Sequence, residues 1–342
     1  IRIYRLPILS YFPKSFILGQ NINRWITANK LFLCRYDFYP ELMLRGIKSE
    51  FFALISGTLV NRKKLLEGKK GINYNWWKNI YKLFDLITVT SKTDKLRFKN
   101  VFSLDQKISI IEMRTLQINN RIKCPLTRLR SENLAPYIDY LKNDFKGQKL
   151  IMGSAWPLEM KSLNNINYND AIKNGNLHLL IAPHDLSSKN ILAIKNEIDK
   201  FVPKMPIYEI KRNSCISEIN EIVEMIKLNP GPIIISKRGI LCELYTLFNI
   251  SYIGGGHGRS IHSLLEPFLA DNLVMCGPKV HRSTEYELIN GISKNSIMVV
   301  KVLEELYDSL NRFIDDASIG NVQGYIEDNE ACFNKFITDL GL

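Results

Sequence analysis

From Leu150 onward the chain alternates short apolar runs with amphipathic stretches, and this alternation limits its possible folds more than any other feature. The runs Leu150–Gly153, Leu177–Ala182, Ile207–Ile210, Pro232–Ser236, Ile250–Ile253, Leu273–Gly277 and Ile297–Val300 have strand length and strand composition. Between them, residues 190–202, 216–228, 241–248 and 283–290 carry apolar positions at helical spacing. Strands that alternate with helices predict βαβ units, and therefore a parallel sheet with helices on both faces. The first half repeats the pattern less cleanly. Leu31–Cys34, Phe51–Ile55, Leu86–Val89 and Ile108–Ile111 read as strands, and residues 40–46, 76–83 and 91–99 as helices.

The 342 residues give room for two domains, and 46% hydrophobic with 23% charged residues is the balance of a globular chain with a sizeable core. The net charge of +12 is unevenly placed. Residues 1–130 hold 25 Lys and Arg against 8 Asp and Glu, and the remainder holds 21 against 26. A basic half joined to a mildly acidic half points to a polyanion or an anionic membrane surface as partner of the first domain. The six cysteines form no C-x-x-C pair, so the sequence supports neither a disulfide framework nor a zinc site, and buried free thiols are expected. No metal or cofactor is implied. No run of about 18 apolar residues exists, so no spanning helix is expected within the chain. Residues 117–132 are basic and polar and contain Pro125, which marks a linker.

One stretch concentrates chemistry. The strand Ile250–Ile253 runs into Gly254, Gly255 and Gly256, followed by Ile261, Leu264, Leu265 and Phe268 at helical spacing. Glycines at a strand end allow close backbone approach, and a helix start beyond them offers N–H groups to an anion. A phosphate-bearing ligand is the natural reading. His257, Arg259, His262 and Glu266 crowd the same stretch. His257 and Arg259 are left open as ligand contacts or solvent-facing residues.

The motifs then resemble a specific family. Gly153-Ser154-Ala155-Trp156-Pro157, Ala182-Pro183-His184-Asp185, Gly239-Ile240-Leu241 through Tyr245, Gly254–Gly256 with Ile261–Glu266, and Gly277-Pro278 occur in the order and spacing of the 3-deoxy-D-manno-octulosonic acid (Kdo) transferases. The resemblance continues upstream through Arg35–Leu42, Phe84–Ile87 and Arg97-Phe98, and it is more specific after residue 150. It implies an α/β protein with the B-type glycosyltransferase fold, two Rossmann-like domains with a cleft between them and the first incomplete. The implied division is an acceptor domain over residues 1–116, a linker over 117–137, a CMP-sugar domain over 138–322 and a terminal helix over 323–342 that packs back across both. The implied activity is transfer of Kdo from CMP-Kdo to a lipid A precursor at the cytoplasmic face of a bacterial inner membrane, without metal. The alternatives are a transferase for another nucleotide sugar and a non-catalytic nucleotide- or lipid-binding remnant.

Position by position, the resemblance implies a donor site of Ser154, Pro183, His184, Arg238, Gly239, Ile240, Gly254–Gly256, His262, Ser263, Leu264, Leu265 and Glu266. Two positions depart from the family pattern: His184 replaces an arginine, and Ile240 replaces an acid. In the first domain, Arg62, Lys63 and Lys64 with Trp76, Trp77 and Lys78 read as an acceptor and membrane face, because tryptophans and cations suit a lipid headgroup boundary, or else as core aromatics beside a solvated charged face. The same mixture suits single-stranded nucleic acid, but the nucleotide-sugar pattern of the second domain does not, so no nucleic acid partner is expected. No obligate protein partner is inferred. Asp37 matches an acid of the family and reads either as a polar cleft residue or as a helix cap. The family's general base, a glutamate near the amino terminus, has no counterpart, since residues 2–26 contain no carboxylate. The expectation is therefore a chain whose base and membrane anchor lie upstream of Ile1.

Overall fold

The structure is a computed structural model and describes residues 28–35, 37–59, 72–104, 107–280, 283–316 and 321–341. The chain divides into two compact units: residues up to Met113 together with those from Asn329 onward, and Arg114–Asp328.

In the first unit β1 (Lys30–Cys34), β2 (Phe51–Gly57), β3 (Leu86–Val89) and β4 (Ile108–Ile110) pair in that order, all parallel. Its core sets an aromatic cluster among Leu, Ile and Val side chains. Phe52 and Phe84 lie 4.3 Å apart between centroids, and Tyr81 meets Phe98 edge-on at 5.0 Å. Residues 329–341 join this unit through Asn329, whose side chain exchanges two hydrogen bonds with the Glu112 backbone. The Glu112 N–H donates to Asn329 Oδ1 at 2.8 Å, and Asn329 Nδ2 donates to the Glu112 carbonyl at 3.0 Å.

The second unit is built on β5 (Gln148–Ala155), β6 (Leu177–Pro183), β7 (Tyr208–Ile210), β8 (Ile233–Ile235), β9 (Ile250–Ile253), β10 (Leu273–Cys276) and β11 (Ile297–Val299). These strands form one parallel sheet in the order β11-β10-β9-β5-β6-β8-β7. Successive strand residues point to opposite faces, and both faces are covered. Ile151, Leu180, Ile233, Ile235, Val274 and Cys276 enter one core, while Leu150, Met152, Leu179, Ile181, Ile234 and Met275 enter the other. A fully buried aliphatic side chain contributes about 1.5–3 kcal/mol, so two-sided burial accounts for the continuous apolar runs in the sequence.

Residues 117–137, read as a linker, are helical instead. They fall in Met113–Ile122, Pro125–Ser131 and Ala135–Asp139. Ile118, Leu129, Leu134 and Tyr137 are buried in the second unit's core, and the polar residues that suggested a linker form the outer face. Pro125 sits in the first turn of its helix, where an absent N–H breaks no helical bond. The terminal helix, Val322–Asp339, is present. All six cysteines are free, but only Cys242 and Cys276 are buried, so the expectation of buried thiols fails for the other four.

His178 lies within β6 and is buried among Tyr137, Tyr140, Phe145 and Phe248. Its Nε2 shares a 2.7 Å hydrogen bond with the Tyr137 hydroxyl. Burial, helped by nearby Lys149, drives its pKa down to about 3. The ring is therefore neutral when folded and charges on unfolding below pH ~6.5. Stability due to this group is complete above that value and falls as pH drops, by up to ~1.4 kcal/mol per unit. His178→Gln keeps an acceptor for Tyr137 and should flatten the loss of stability between pH 6.5 and 4.5 in urea unfolding; equal slopes in the two proteins would contradict this assignment.

Candidate functional site

The chain leaves β5 for β6 on one side of it, and later crosses from β8 back to β9 on the other side. In open α/β sheets a ligand crevice lies outside the carboxyl ends of strands at such a switch. The second unit has a cleft of about 580 Å³ there, lined by Ser154, Trp156, Pro183, His184, Lys237 and Arg238 among others. Ser154 adopts φ +52 where the β5–β6 register shifts between Gly153 and Ala155, so the end of β5 is bent at the cleft wall. The His184 N–H donates to the Ala155 carbonyl at 3.0 Å, which ties the β6 end to the β5 end.

Four side chains from three segments meet at this rim. His184 and His262 stack with centroids 4.0 Å apart and planes 19° from parallel. Trp156 lies 4.7 Å from His184, and its Nε1–H donates to His262 Nε2 at 3.4 Å. The Arg259 guanidinium sits 4.1 Å from the Trp156 ring centre, a cation–π contact. Burial lowers the His262 pKa, and the neighbouring His184 and Arg259 lower it further. Lys237 is buried, donates to the Arg212 carbonyl at 2.9 Å, and has its pKa lowered by burial. Asp185, the acid on the cleft wall, accepts the Ser187 N–H at 2.9 Å and hydroxyl at 3.0 Å, which hold its pKa down.

The glycine run differs from its expected role. The Gly254 N–H donates to the Gly153 carbonyl, that of Gly255 to Glu159 Oε1, and that of Gly256 to the Arg259 carbonyl. All three amides are therefore engaged within the protein and are not free for an anion. Glycine is required for space. A Cβ on Gly254 would lie 2.2 Å from the Ser154 carbonyl oxygen, and one on Gly256 would lie 2.7 Å from the Gly277 Cα. Gly255 and Gly256 also have φ of +90 and +73, which prevents a helix from opening there. The helix begins at Leu265 and is short, Leu265–Leu269. The Leu264 and Leu265 N–H groups both donate to Glu285 Oε2, at 2.7 and 3.0 Å. A carboxylate of the chain itself occupies that helix start.

The remaining expected residues divide by surroundings. Arg238 and Gly239 line the cleft with Ser154, Pro183 and His184. Ile240, Leu264 and Leu265 are fully buried, so their side chains do not face a ligand, and the Leu264 and Leu265 amides are taken by Glu285. Ser263 accepts from Arg114 at 2.9 Å and donates to Glu285 at 3.2 Å. Glu266 is largely buried, which raises its pKa against the opposing pull of Arg121 and Arg114. His257 is half-buried, and its pKa is lowered by burial.

In the first unit Asp37 is exposed, and it is not a cap. Tyr39 precedes the helix Pro40–Ile47, and no side chain caps it. Trp76 is 63% exposed. Trp77, expected at a membrane face, instead packs on Phe38 and Tyr81 with centroids 5.6 and 6.1 Å away. Lys78 lies over the Tyr74 ring at 5.8 Å. Arg62, Lys63 and Lys64 fall outside the described residues. No helix among the described residues is long and apolar enough to cross a membrane, and none of their His, Cys, Asp and Glu clusters could hold a metal ion.

Several functional candidates were missed from sequence. Arg114 and Arg121 sit two turns apart on the helix Met113–Ile122, with the buried Ile118 on the same side. Arg121 binds both carboxylate oxygens of Glu243, at 2.9 and 2.6 Å, and the Gly239 carbonyl at 2.9 Å. Arg114 pairs with Glu285 and Ser263. One helix thus fastens the loop before Leu241 and the loop before Leu265. The seven-residue arginine spacing was the available signal, hidden by reading this stretch as a linker. Buried Glu159, which accepts the Trp156 and Gly255 N–H groups, carried no signal beyond its place three residues after Trp156.

No protein-family model matches the sequence, and no curated protein matches it. Solved structures do resemble it. A structure of apo OtsA aligns over 97% of this chain and 77% of its own, with TM-score 0.51 and 12% identity. A UDP-forming trehalose-phosphate synthase from Burkholderia xenovorans aligns over 95% and 74%, with TM-score 0.49 and 13% identity. The C-terminal CMP-Kdo-binding domain of WaaA from Acinetobacter baumannii aligns over 62% and 97%, with TM-score 0.41 and 13% identity. Identities this low bear on fold alone, and the OtsA alignment gives the architecture as the B-type glycosyltransferase fold with Rossmann-like units.

Close packing at the glycine run sets the stability cost of an added Cβ. Gly254→Ala forces a Cβ against rigid backbone and should cost at least ~2 kcal/mol in denaturant unfolding. Gly239→Ala has φ +75 but open space within 4 Å, so its cost should stay near the ~1 kcal/mol of a left-handed residue. A reversed order would show that the run is not held by backbone packing.

Proposed function

We propose that this chain is a glycosyltransferase that takes a nucleotide-activated sugar, with CMP-Kdo as donor and a lipid A precursor as acceptor. The observation that carries the proposal is the cleft at the carboxyl ends of β5, β6 and β8, where Lys237 and Arg238 supply cations beside Trp156 and His184. A leaving nucleoside monophosphate needs its developing charge neutralised, and preorganised cations in a walled cleft do this. The Kdo assignment is supported by the sequence motifs at Ser154, Pro183-His184, Gly239 and Ser263–Glu266.

In the proposed reaction the acceptor hydroxyl oxygen bonds to the anomeric carbon from the face opposite CMP. The bond from that carbon to the phosphate oxygen breaks, and CMP leaves with the electron pair. The acceptor proton passes to a base outside the cleft described, since Asp185 is engaged by Ser187. The second unit thereby supplies donor binding and leaving-group stabilisation. The first unit, with Trp76 and the basic residues of the amino-terminal half, is assigned the acceptor.

Calorimetric titration of the whole chain should show CMP binding and weaker UMP binding. Arg238→Ala should weaken CMP by about ten- to a hundredfold, the span of one charge-assisted hydrogen bond. Equal or tighter UMP binding would move the donor to another nucleotide sugar, and loss of all nucleotide binding would overturn the reading.

A further inference from the structure

The cleft rim holds a charge arrangement that a fixed cation would not produce. His184 follows β6 and His262 lies in the loop after β9, yet their rings stack 4.0 Å apart. Trp156 Nε1–H donates to His262 Nε2 at 3.4 Å. That bond requires an unprotonated Nε2, so it selects the neutral ring with its proton on Nδ1. The charges that face the pair are nearly all positive. Arg259 lies on Trp156, and Lys237 and Arg238 line the same cleft. Two carboxylates lie nearby: Asp185, kept ionised by its Ser187 hydrogen bonds, attracts both His184 and Arg238, while Glu159 is taken up by the Trp156 and Gly255 backbone. Without a ligand, a second cation on the stack meets repulsion from its partner ring and from three basic side chains. An anion in the cleft reverses that balance, because it is attracted to every one of these groups.

We propose that the His184–His262 stack is a proton-coupled anion site, at which an anion entering the cleft binds together with one proton taken from solvent onto the imidazole pair. No covalent bond is broken: the proton joins a ring nitrogen lone pair, which on His262 displaces the Trp156 hydrogen bond and on His184 does not, and the anion gains a charged donor. The inference rests on reading the cleft as a phosphate site and adds the protonation that accompanies binding. It also gives a consequence to the histidine at position 184, since a permanent guanidinium there would bind the anion without proton uptake. Affinity for the phosphate end of a ligand then rises as pH falls.

The test uses sulfate, whose own charge is constant from pH 5.5 to 8, titrated into the whole chain. Sulfate affinity should rise as pH drops, with a limiting slope of about tenfold per pH unit for one linked proton. Calorimetry at constant pH in buffers of different ionisation enthalpy should show up to about one proton taken up. His184→Arg should retain binding and flatten the pH dependence. His262→Gln, which keeps an acceptor for Trp156, should also flatten it, and thermal melts establish that each variant is folded. A flat wild-type profile, or unchanged slopes in both folded variants, would overturn the proposal. Competition with CMP separates it from the reading it rests on. If sulfate binds with proton uptake and CMP does not compete, the anion site stands and the nucleotide reading falls. If the two compete with no proton uptake, the nucleotide reading stands and this proposal falls. Failure to bind either ligand removes both.

Discussion

The second unit depends on the pairing of β5 with two strands at once. Leu150 is in register with Leu179 on one side and Ile250 on the other, so the central strand fixes the height at which β6 and β9 end. In a parallel sheet every strand end on one rim belongs to a different crossover. The register of β5 therefore decides that Trp156, His184 and the loop carrying Arg259 and His262 converge. Because both faces of the sheet are buried, a slip of one residue would move every side chain of β5 into the opposite core. The rim geometry is held by the same burial that holds the fold.

That rim is cationic through side chains more than through backbone. Amides that could have bound an anion are already engaged: Gly255 by Glu159, and Leu264 and Leu265 by Glu285. Arg114 and Arg121 in turn hold Glu285 and Glu243. Each internal carboxylate that fixes a loop also removes a potential donor. The positive field left at the rim comes from Lys237, Arg238 and Arg259, beside two imidazoles that the proposed site protonates when an anion binds. Packing at the glycine run and titration at the rim are two results of one arrangement.

Much of this architecture was legible in the sequence. Among the described residues, the strands of the second unit lie where short apolar runs stood, because strands buried on both faces leave no polar alternation to confuse. The glycine run was located correctly, but its purpose was not. Amide availability depends on which carbonyls and carboxylates lie opposite, and Glu159 is nearly a hundred residues away in sequence. The segment 117–137 failed for a related reason. Its arginines and asparagines looked solvated, yet Arg121 reaches Glu243 and Asn119 is buried. Trp77 failed because an aromatic beside lysines has the same composition whether it faces a headgroup or packs on Phe38. The His184–His262 contact joins residues 78 positions apart and left no local trace.

The central claim, that the rim of the seven-stranded sheet is a nucleotide site, is tested most directly by amide hydrogen exchange of the whole chain with and without CMP. The account predicts slowed exchange at residues 154–156, 183–187 and 236–241, with the first unit's sheet unchanged. Protection that appears in the first unit while those three segments exchange as before would contradict it.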